Sequence, residues 1–289
     1  MINFMRFKYY YFAFSLSFVL PSIFGLAMWG LKPSVEFTGG TALKFQLSNS
    51  NFQDEQVKAF AKESGIEISN FTNQQGIYLI KSKEVTQSQY STFQSKIKEA
   101  GGEFQEISFE SVGPSVGKEL VFKTVAAVIL ASFFILLHVA RQFKDKMFGI
   151  SAIIAMFHDT IILLGVFSFL GHFKGVEIDV LIVTAVLTIL SFSVHDTIVV
   201  YDRIRESLKH QPNAKFENLV NKALTETITR SFNNSMTIIF MLLALFLLGG
   251  ETIKWFVLAL LVGTISGTYS STFTAAPLLV VWKQLAKKK

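Results

Sequence analysis

Six stretches of the chain run apolar for about 20 residues, the length a helix needs to cross the hydrocarbon core of a bilayer. They fall near Tyr9–Gly30, Val121–Val139, Phe148–Leu170, Val180–Tyr201, Ser231–Leu248 and Trp255–Trp282. In lipid a crossing segment must satisfy its backbone hydrogen bonds internally, so six transmembrane helices are expected. Composition agrees. Of 289 residues, 51% are hydrophobic, 30 are Phe and only 17% are charged, against about 25% charged in soluble domains. A disordered, collagenous or ordinary cytosolic chain is excluded. There is no cysteine, which removes disulfides and thiolate metal sites, so any external domain folds on its core alone.

The basic residues set the orientation. Arg6 and Lys8 precede the first crossing. Arg141, Lys144 and Lys146 follow the second, and Arg203, Arg205, Lys209, Lys215 and Lys222 follow the fourth. Lys283 and Lys287 to Lys289 follow the sixth, while the opposite short loops hold only Lys174 and Lys254. Both termini are expected in the cytoplasm. The net charge of +6 then serves topology, and no nucleic-acid partner is expected. The first crossing is longer than the roughly 7–15 apolar residues of a signal peptide and no Ala-x-Ala site follows it, so it reads as a retained anchor.

Three regions result: residues 1–30, with the first crossing; 31–118, outside the cytoplasm; and 119–289, with the other five. Residues 31–118 alternate in pattern. Val35–Leu47 reads as a strand interrupted at Gly39-Gly40, and Phe52–Lys62 as an amphipathic helix capped by Asn51. Two strands, Glu67–Phe71 and Ile77–Lys81, flank the polar turn Asn73-Gln74-Gln75-Gly76. Thr86–Lys98 reads as a second helix whose Thr86 and Gln89 fit a capping box, and Glu103–Val112 as a last strand. The order β-α-β-β-α-β is that of a ferredoxin-like α+β domain. The fold class expected is therefore an α-helical polytopic membrane protein, with this small extracytoplasmic domain between helices 1 and 2. Inside the cell, Phe216, Leu219, Val220, Ala223, Leu224, Thr227 and Ile228 recur at helical spacing before the fifth crossing. That stripe fits a helix in the lipid interface or one packed on the bundle.

Charges at membrane depth cost about 2.5–3.5 kcal/mol at a helix centre on insertion scales, so those present are informative. Asp196 lies among Ile189, Leu190, Phe192, Val194, Ile198, Val199 and Val200. A lone carboxylate there resists ionisation, and a nearby cation reverses that. Arg230, opening the fifth crossing, is the expected partner. The pair fits a proton switch in which ionised Asp196 holds Arg230 and protonated Asp196 releases it, or a static pair that sets helix register. Arg230 also fits a side chain that snorkels to lipid phosphates. His158-Asp159 in the third crossing fits a proton relay or a buried group bonded to a neighbouring helix. His195 and Thr197 flank Asp196. No metal site is expected, since no spacing brings His158 and His195 together. Gly263, Ser266, Gly267, Ser270 and Ser271 read as small residues for close helix packing, in preference to a dimer seam. Gly-x-Ser-x-Gly, the phosphate-binding Gly-x-x-x-x-Gly-Lys and His-Glu-x-x-His are all missing, so neither an enzyme nor a cofactor is expected. Energy must come from an ion gradient or a partner.

Four stretches together resemble the SecF family, membrane subunits of the bacterial Sec protein-export machinery. They are residues 35–41 (VEFTGGT), 110–117 (ESVGPSVG), 193–206 (SVHDTIVVYDRIRE) and Thr229-Arg230-Ser231. The resemblance covers nearly the whole chain in order. It implies a fold of the resistance-nodulation-division type in the bacterial inner membrane. It also implies a pseudo-symmetric partner, SecD, and association with the SecYEG channel. The implied activity is proton-driven assistance to a translocating preprotein, with the external domain moving as protons pass. The family's proton-path carboxylate and arginine fall on Asp196 and Arg230. Glu36 stands where the family commonly has Asp, and His195 where Asn is usual. Two other functions stay open: a half-transporter of lipids or drugs, and a scaffold that transduces nothing. Gly39 and Gly40 at the entry of the external domain, and Gly113, Pro114 and Gly117 at its exit, fit hinges or ordinary turns.

Overall fold

The first apolar stretch forms helix α1 (Lys8–Met28), entered through a 3-10 turn at Phe4–Phe7. The computed structural model describes residues 3–48, 52–74, 76–143 and 145–286. The expected cap Asn51, the turn residue Gln75 and the basic residues Lys144 and Lys287 to Lys289 lie outside the described residues. The chain divides into two compact units, one of Pro33–Ala126 and one of Met1–Lys32 with Ala127–Lys289.

The smaller unit opens on a one-turn helix α2 (Val35–Thr38), followed by β1 (Gly40–Ser48), α3 (Asp54–Glu63), β2 (Ile68–Gln74), β3 (Ile77–Ser82), α4 (Gln87–Glu99) and β4 (Glu103–Val112). The strands form one antiparallel sheet in the order β2-β3-β1-β4. That is the split β-α-β arrangement of ferredoxin-like domains. Alternation along the strands turns Leu43 and Phe45 of β1 and Tyr78 and Ile80 of β3 to the helices, where they meet Val57 and Ala61 of α3 and Phe93 and Ile97 of α4. Phe45 is the centre of this core. It is fully buried, and its ring stacks on Tyr78 at 5.3 Å and Phe104 at 4.8 Å and meets Phe93 edge-on at 5.6 Å. The capping box at α4 forms as expected, with the Thr86 N–H donating to Gln89 Oε1 at 2.9 Å. At α3 a similar exchange involves Gln53, whose N–H donates to Gln56 Oε1.

One expectation fails here. Val35–Thr38 is not strand but a helical turn, closed by the Gly39 N–H on Val35 O at 2.8 Å. Gly39 (φ 75°) and Gly40 (φ 115°) then redirect the chain into β1. A Cβ on Gly39 would lie 2.8 Å from Pro114 Cα, and one on Gly117 would lie 3.0 Å from Gly39 N. Entry and exit of this unit therefore touch backbone to backbone.

The remaining helices are α5 (Pro114–Gln142), α6 (Lys146–Lys174), α7 (Val180–His210), α8 (Phe216–Leu248), α9 (Lys254–Ser270) and α10 (Ala276–Ala286), the last two joined by a π turn at Ser271–Ala275. With α1 they supply six crossings long and apolar enough for a membrane, the sixth running from α9 through α10. At about 1.5 Å per residue, α8 is about 50 Å long, more than the roughly 30 Å of hydrocarbon it must cross. Its first turns are the amphipathic stripe: Leu219 is buried, and Val220, Ala223 and Leu224 are buried against the bundle. Of the two readings left open for that stripe, packing on the bundle is the one observed. Small residues bring helices close. A Cβ on Gly165 of α6 would fall 2.1 Å from Ser22 Cβ of α1, and one on Gly263 of α9 would fall 2.4 Å from Ile189 Cγ1 of α7. Gly263 and Gly267 thus serve packing inside the bundle.

The amino-terminal turn is tied down by polar contacts. The Met5 N–H donates to Asn221 Oδ1 at 3.0 Å, and the buried Lys8 Nζ donates to Glu217 Oε1 of α8 at 3.1 Å and Gln284 Oε1 of α10 at 3.0 Å.

Truncating the aromatic centre tests the account of the smaller unit. Phe45→Ala is expected to cost about 3–5 kcal/mol of that unit's stability. Hydrogen exchange of the β1 and β3 amides in the solubilised chain reads this as faster opening, with the amides of α6 and α7 unchanged.

Candidate functional site

Two carboxylates lie buried in the helical bundle, Asp159 at 1% and Asp196 at 6% exposure. Each is held by hydroxyl groups. Asp159, on α6, accepts at Oδ1 from Ser266 Oγ (2.6 Å) and meets the neighbouring His158 Nδ1 (2.9 Å). Its Oδ2 accepts from Ser193 Oγ of α7 and Ser270 Oγ of α9, both at 2.6 Å. A carboxylate offers about four acceptor positions, so Asp159 is saturated, and it joins α6, α7 and α9 at one point. Asp196, on α7, accepts from Ser231 Oγ of α8 at 3.0 Å and from Ser271 Oγ at 2.5 Å. Two of its four positions remain open.

Helical spacing explains which side chains converge. Ser193 and Asp196 sit three apart on one face of α7, and Ser266 and Ser270 four apart on one face of α9. Ser271 is only one residue further on, yet it reaches a different carboxylate on the same side. The π turn that begins there widens the helix and makes this possible. Its cause is legible. Pro277 lacks the N–H that would bond to the carbonyl of Phe273, and its ring pushes that carbonyl aside. The Tyr201 hydroxyl, fully buried, donates to the Ala275 carbonyl at 2.9 Å, and Ser15 of α1 meets Thr274 at 3.0 Å.

The other expected site residues fall into place differently. Arg230 is exposed and makes no ion pair with Asp196; among the described residues Asp196 has hydroxyl partners only. The expected pair is replaced by its neighbour in sequence, because one residue along a helix turns about 100°. Ser231 faces Asp196 while Arg230 faces a cleft between the carboxyl-terminal part of α7 and the amino-terminal part of α8. That cleft, of about 490 Å³, is lined by Val199, Asp202, Arg203, Glu206, Glu226, Thr227 and Arg230. Arg203 bridges it, with Nε donating to Glu226 Oε2 at 2.6 Å and Nη1 to Glu206 Oε2 at 2.5 Å. His195 is exposed on the outer face of α7, away from both carboxylates. Thr197 is fully buried, and among the described residues neither its Oγ1 nor His158 Nε2 has a hydrogen-bond partner. Among the described residues no group of three or more His, Cys, Asp or Glu is placed to hold a metal ion. Ser266, Ser270 and Ser271, read from sequence as packing residues, are ligands of the carboxylates. The usable signal was a hydroxyl triplet within an apolar crossing that follows two crossings with buried acids.

The sequence family described as protein export membrane protein SecD/SecF, C-terminal, matches residues 92–285. The chain belongs to the SecD/SecF family. The protein translocase subunit SecF of Thermobaculum terrenum is 41% identical over 300 residues, covering 98% of this chain and 94% of that protein. SecF of Vibrio alginolyticus is 35% identical, covering 96% of this chain and 88% of that one. The fused subunit SecDF of Thermus thermophilus is 34% identical over 270 residues, 89% of this chain and 35% of the fusion. The crystal structure of SecDF from the same genus, described as a translocon-associated membrane protein, superposes with a TM-score of 0.84 at 33% identity. The match covers 98% of this chain, which spans 39% of that one. The relatives are named as translocase subunits, and the chain is a multi-pass membrane protein of the Sec translocation machinery.

Unequal saturation predicts unequal stability costs. Asp159→Asn puts an amide N–H2 where two hydroxyls donate, so both must reverse and give up a charge-assisted bond, at about 1–3 kcal/mol each. Asp196→Asn asks this of one hydroxyl, and Ser271 already has Thr268 O as a second acceptor. Thermal denaturation of the solubilised protein should show Asp159→Asn as the more damaging change, by several degrees.

Proposed function

We propose that the chain is the proton-motive-force-coupled SecF subunit of the Sec translocase, assisting preprotein translocation across the inner membrane together with SecD. The observation that carries this reading is Asp196: a carboxylate at membrane depth with open acceptor positions, beside a charged cleft on the cytoplasmic side. Asp196 carries the proton. Protonated, it is content with hydroxyl partners. Ionised, it draws Arg230 in place of Ser231, which requires α8 to turn by about 100°. His158 and Asp159 flank the path, as do Thr197, whose orphaned hydroxyl offers a further relay position, and His195. A membrane potential supplies about 2.3 kcal/mol per charge per 100 mV, and that is the energy source this reading draws on.

In this reading residues 1–30 and 119–289 form the membrane part, with both termini in the cytoplasm as the basic loops require. Residues 31–118 work outside on the emerging preprotein. The hinge residues Gly39, Gly40, Gly113, Pro114 and Gly117 act as a clasp, since Gly39 closes against Pro114 and Gly117. Partnership with SecD is supported by the fused relative, and by an outer stripe on α7 of Thr184, Thr188, Ser191 and His195, all exposed. Thr184 and Thr188 satisfy their hydroxyls on carbonyls four residues back, but His195 needs a polar neighbour in the membrane. Association with the SecYEG channel follows from the translocon-associated description of the solved relative.

Asp196→Asn and Arg230→Ala are each expected to abolish the gradient-dependent part of preprotein export into sealed vesicles, while recovery of the complex with SecD stays unchanged. Full stimulation by Asp196→Asn membranes would sink the reading and leave a scaffold.

A further inference from the structure

Ser270 and Ser271 are consecutive residues, yet they bind different buried acids on different helices. Ser270 Oγ lies 2.6 Å from Asp159 Oδ2 and Ser271 Oγ 2.5 Å from Asp196 Oδ2. Each hydroxyl also has a second acceptor on its own helix: Gly267 O at 3.3 Å for Ser270, and Thr268 O at 3.2 Å for Ser271. Both stand at the mouth of the π turn, which the missing N–H of Pro277 leaves loose.

We propose that Ser270 and Ser271 are positioning residues that couple the proton on Asp196 to the Asp159 clamp, and that the π turn they open is the part that moves. The inference rests on the proton reading of Asp196 given above. When Oδ2 of Asp196 takes up a proton it becomes a donor. Ser271 Oγ must then accept, and its own hydrogen goes to Thr268 O. Bonding back to the preceding turn bends a helix, so Ser271 pulls toward α9. Ser270 cannot follow without leaving Asp159, whose positions are all filled. The clamp therefore holds Ser271 as a donor and favours the ionised form of Asp196. Elements packed around the pair bring other titratable or charged groups. These are His158 on α6, Tyr201 on α7 with its hydroxyl on Ala275 O, Arg230 on α8 turned to the cleft, Lys8 on α1 bound to Glu217 and Gln284, and Lys283 on α10 over the Phe216 ring. Asp159 is the one joined to Asp196 through consecutive side chains.

The test uses the full chain with its partner in proteoliposomes. Infrared difference spectroscopy follows the protonated-carboxyl band that Asp196→Asn removes, as a function of pH. Ser270→Ala, which touches Asp159 and not Asp196, is expected to raise the midpoint of that band by about one pH unit, a tenfold change in the proton equilibrium. The pH optimum of export should move the same way. Ser266→Ala removes a donor from Asp159 one turn before the π turn and should shift the midpoint less than twofold. Ser270→Thr, which keeps the hydroxyl, should restore the wild-type value. Should Ser270→Ala fail to accumulate in membranes, Ser270→Cys keeps the volume with a poor donor and carries the same expectation. A Ser270 variant with an unmoved midpoint, or a Ser266→Ala shift of equal size, overturns the coupling while leaving Asp196 as the proton carrier. If no band lost in Asp196→Asn titrates between pH 5 and 9, the carrier and the coupling fall together.

Discussion

A negative charge in hydrocarbon survives only where donors surround it, and Asp159 meets that condition in full. Three serine hydroxyls and one imidazole nitrogen occupy every position its two oxygens offer. Because the hydroxyls come from α7 and α9 while the acid comes from α6, the requirement to satisfy one side chain fixes the mutual rotation of three crossings. Apolar packing alone would leave that rotation loose, since lipid tails compete with leucine and isoleucine on equal terms. The close approaches at Gly165 and Gly263 then become possible, because only one rotation places glycine at each crossing point.

Asp196 shares the architecture and not the saturation. It lies one turn from Ser193 on the same face of α7, so Asp159 and its donors also set where Asp196 stands. Its partners come from α8, through Ser231, and from the π turn, through Ser271. The two buried acids thus differ in how fully their oxygens are satisfied, four donors on one and two on the other.

Much of this was legible in the residues. The six crossings, the order of strands and helices in the smaller unit and the Thr86–Gln89 box follow from hydropathy, alternation and capping chemistry, and Asp196 stood out by the cost of a buried charge. What escaped depends on rotation about a helix axis. Arg230 rather than Ser231 was the natural partner for Asp196 by charge, yet the difference between them is a single residue's turn that sequence spacing from another helix cannot assign. Ser266, Ser270 and Ser271 looked like packing residues because small side chains serve packing and hydrogen bonding alike. The helical turn at Val35–Thr38 hid in a β-branched and aromatic run, where Gly39 and Gly40 set the geometry and local propensity did not.

The polar lashing of the amino-terminal turn bears on how the molecule is made. Lys8 completes its coordination only when Gln284 arrives, 276 residues later in synthesis. Until then its ammonium group stands without one of its acceptors, at the amino-terminal end of α1. The amino-terminal turn therefore gains its last polar tie only once α10 is in place.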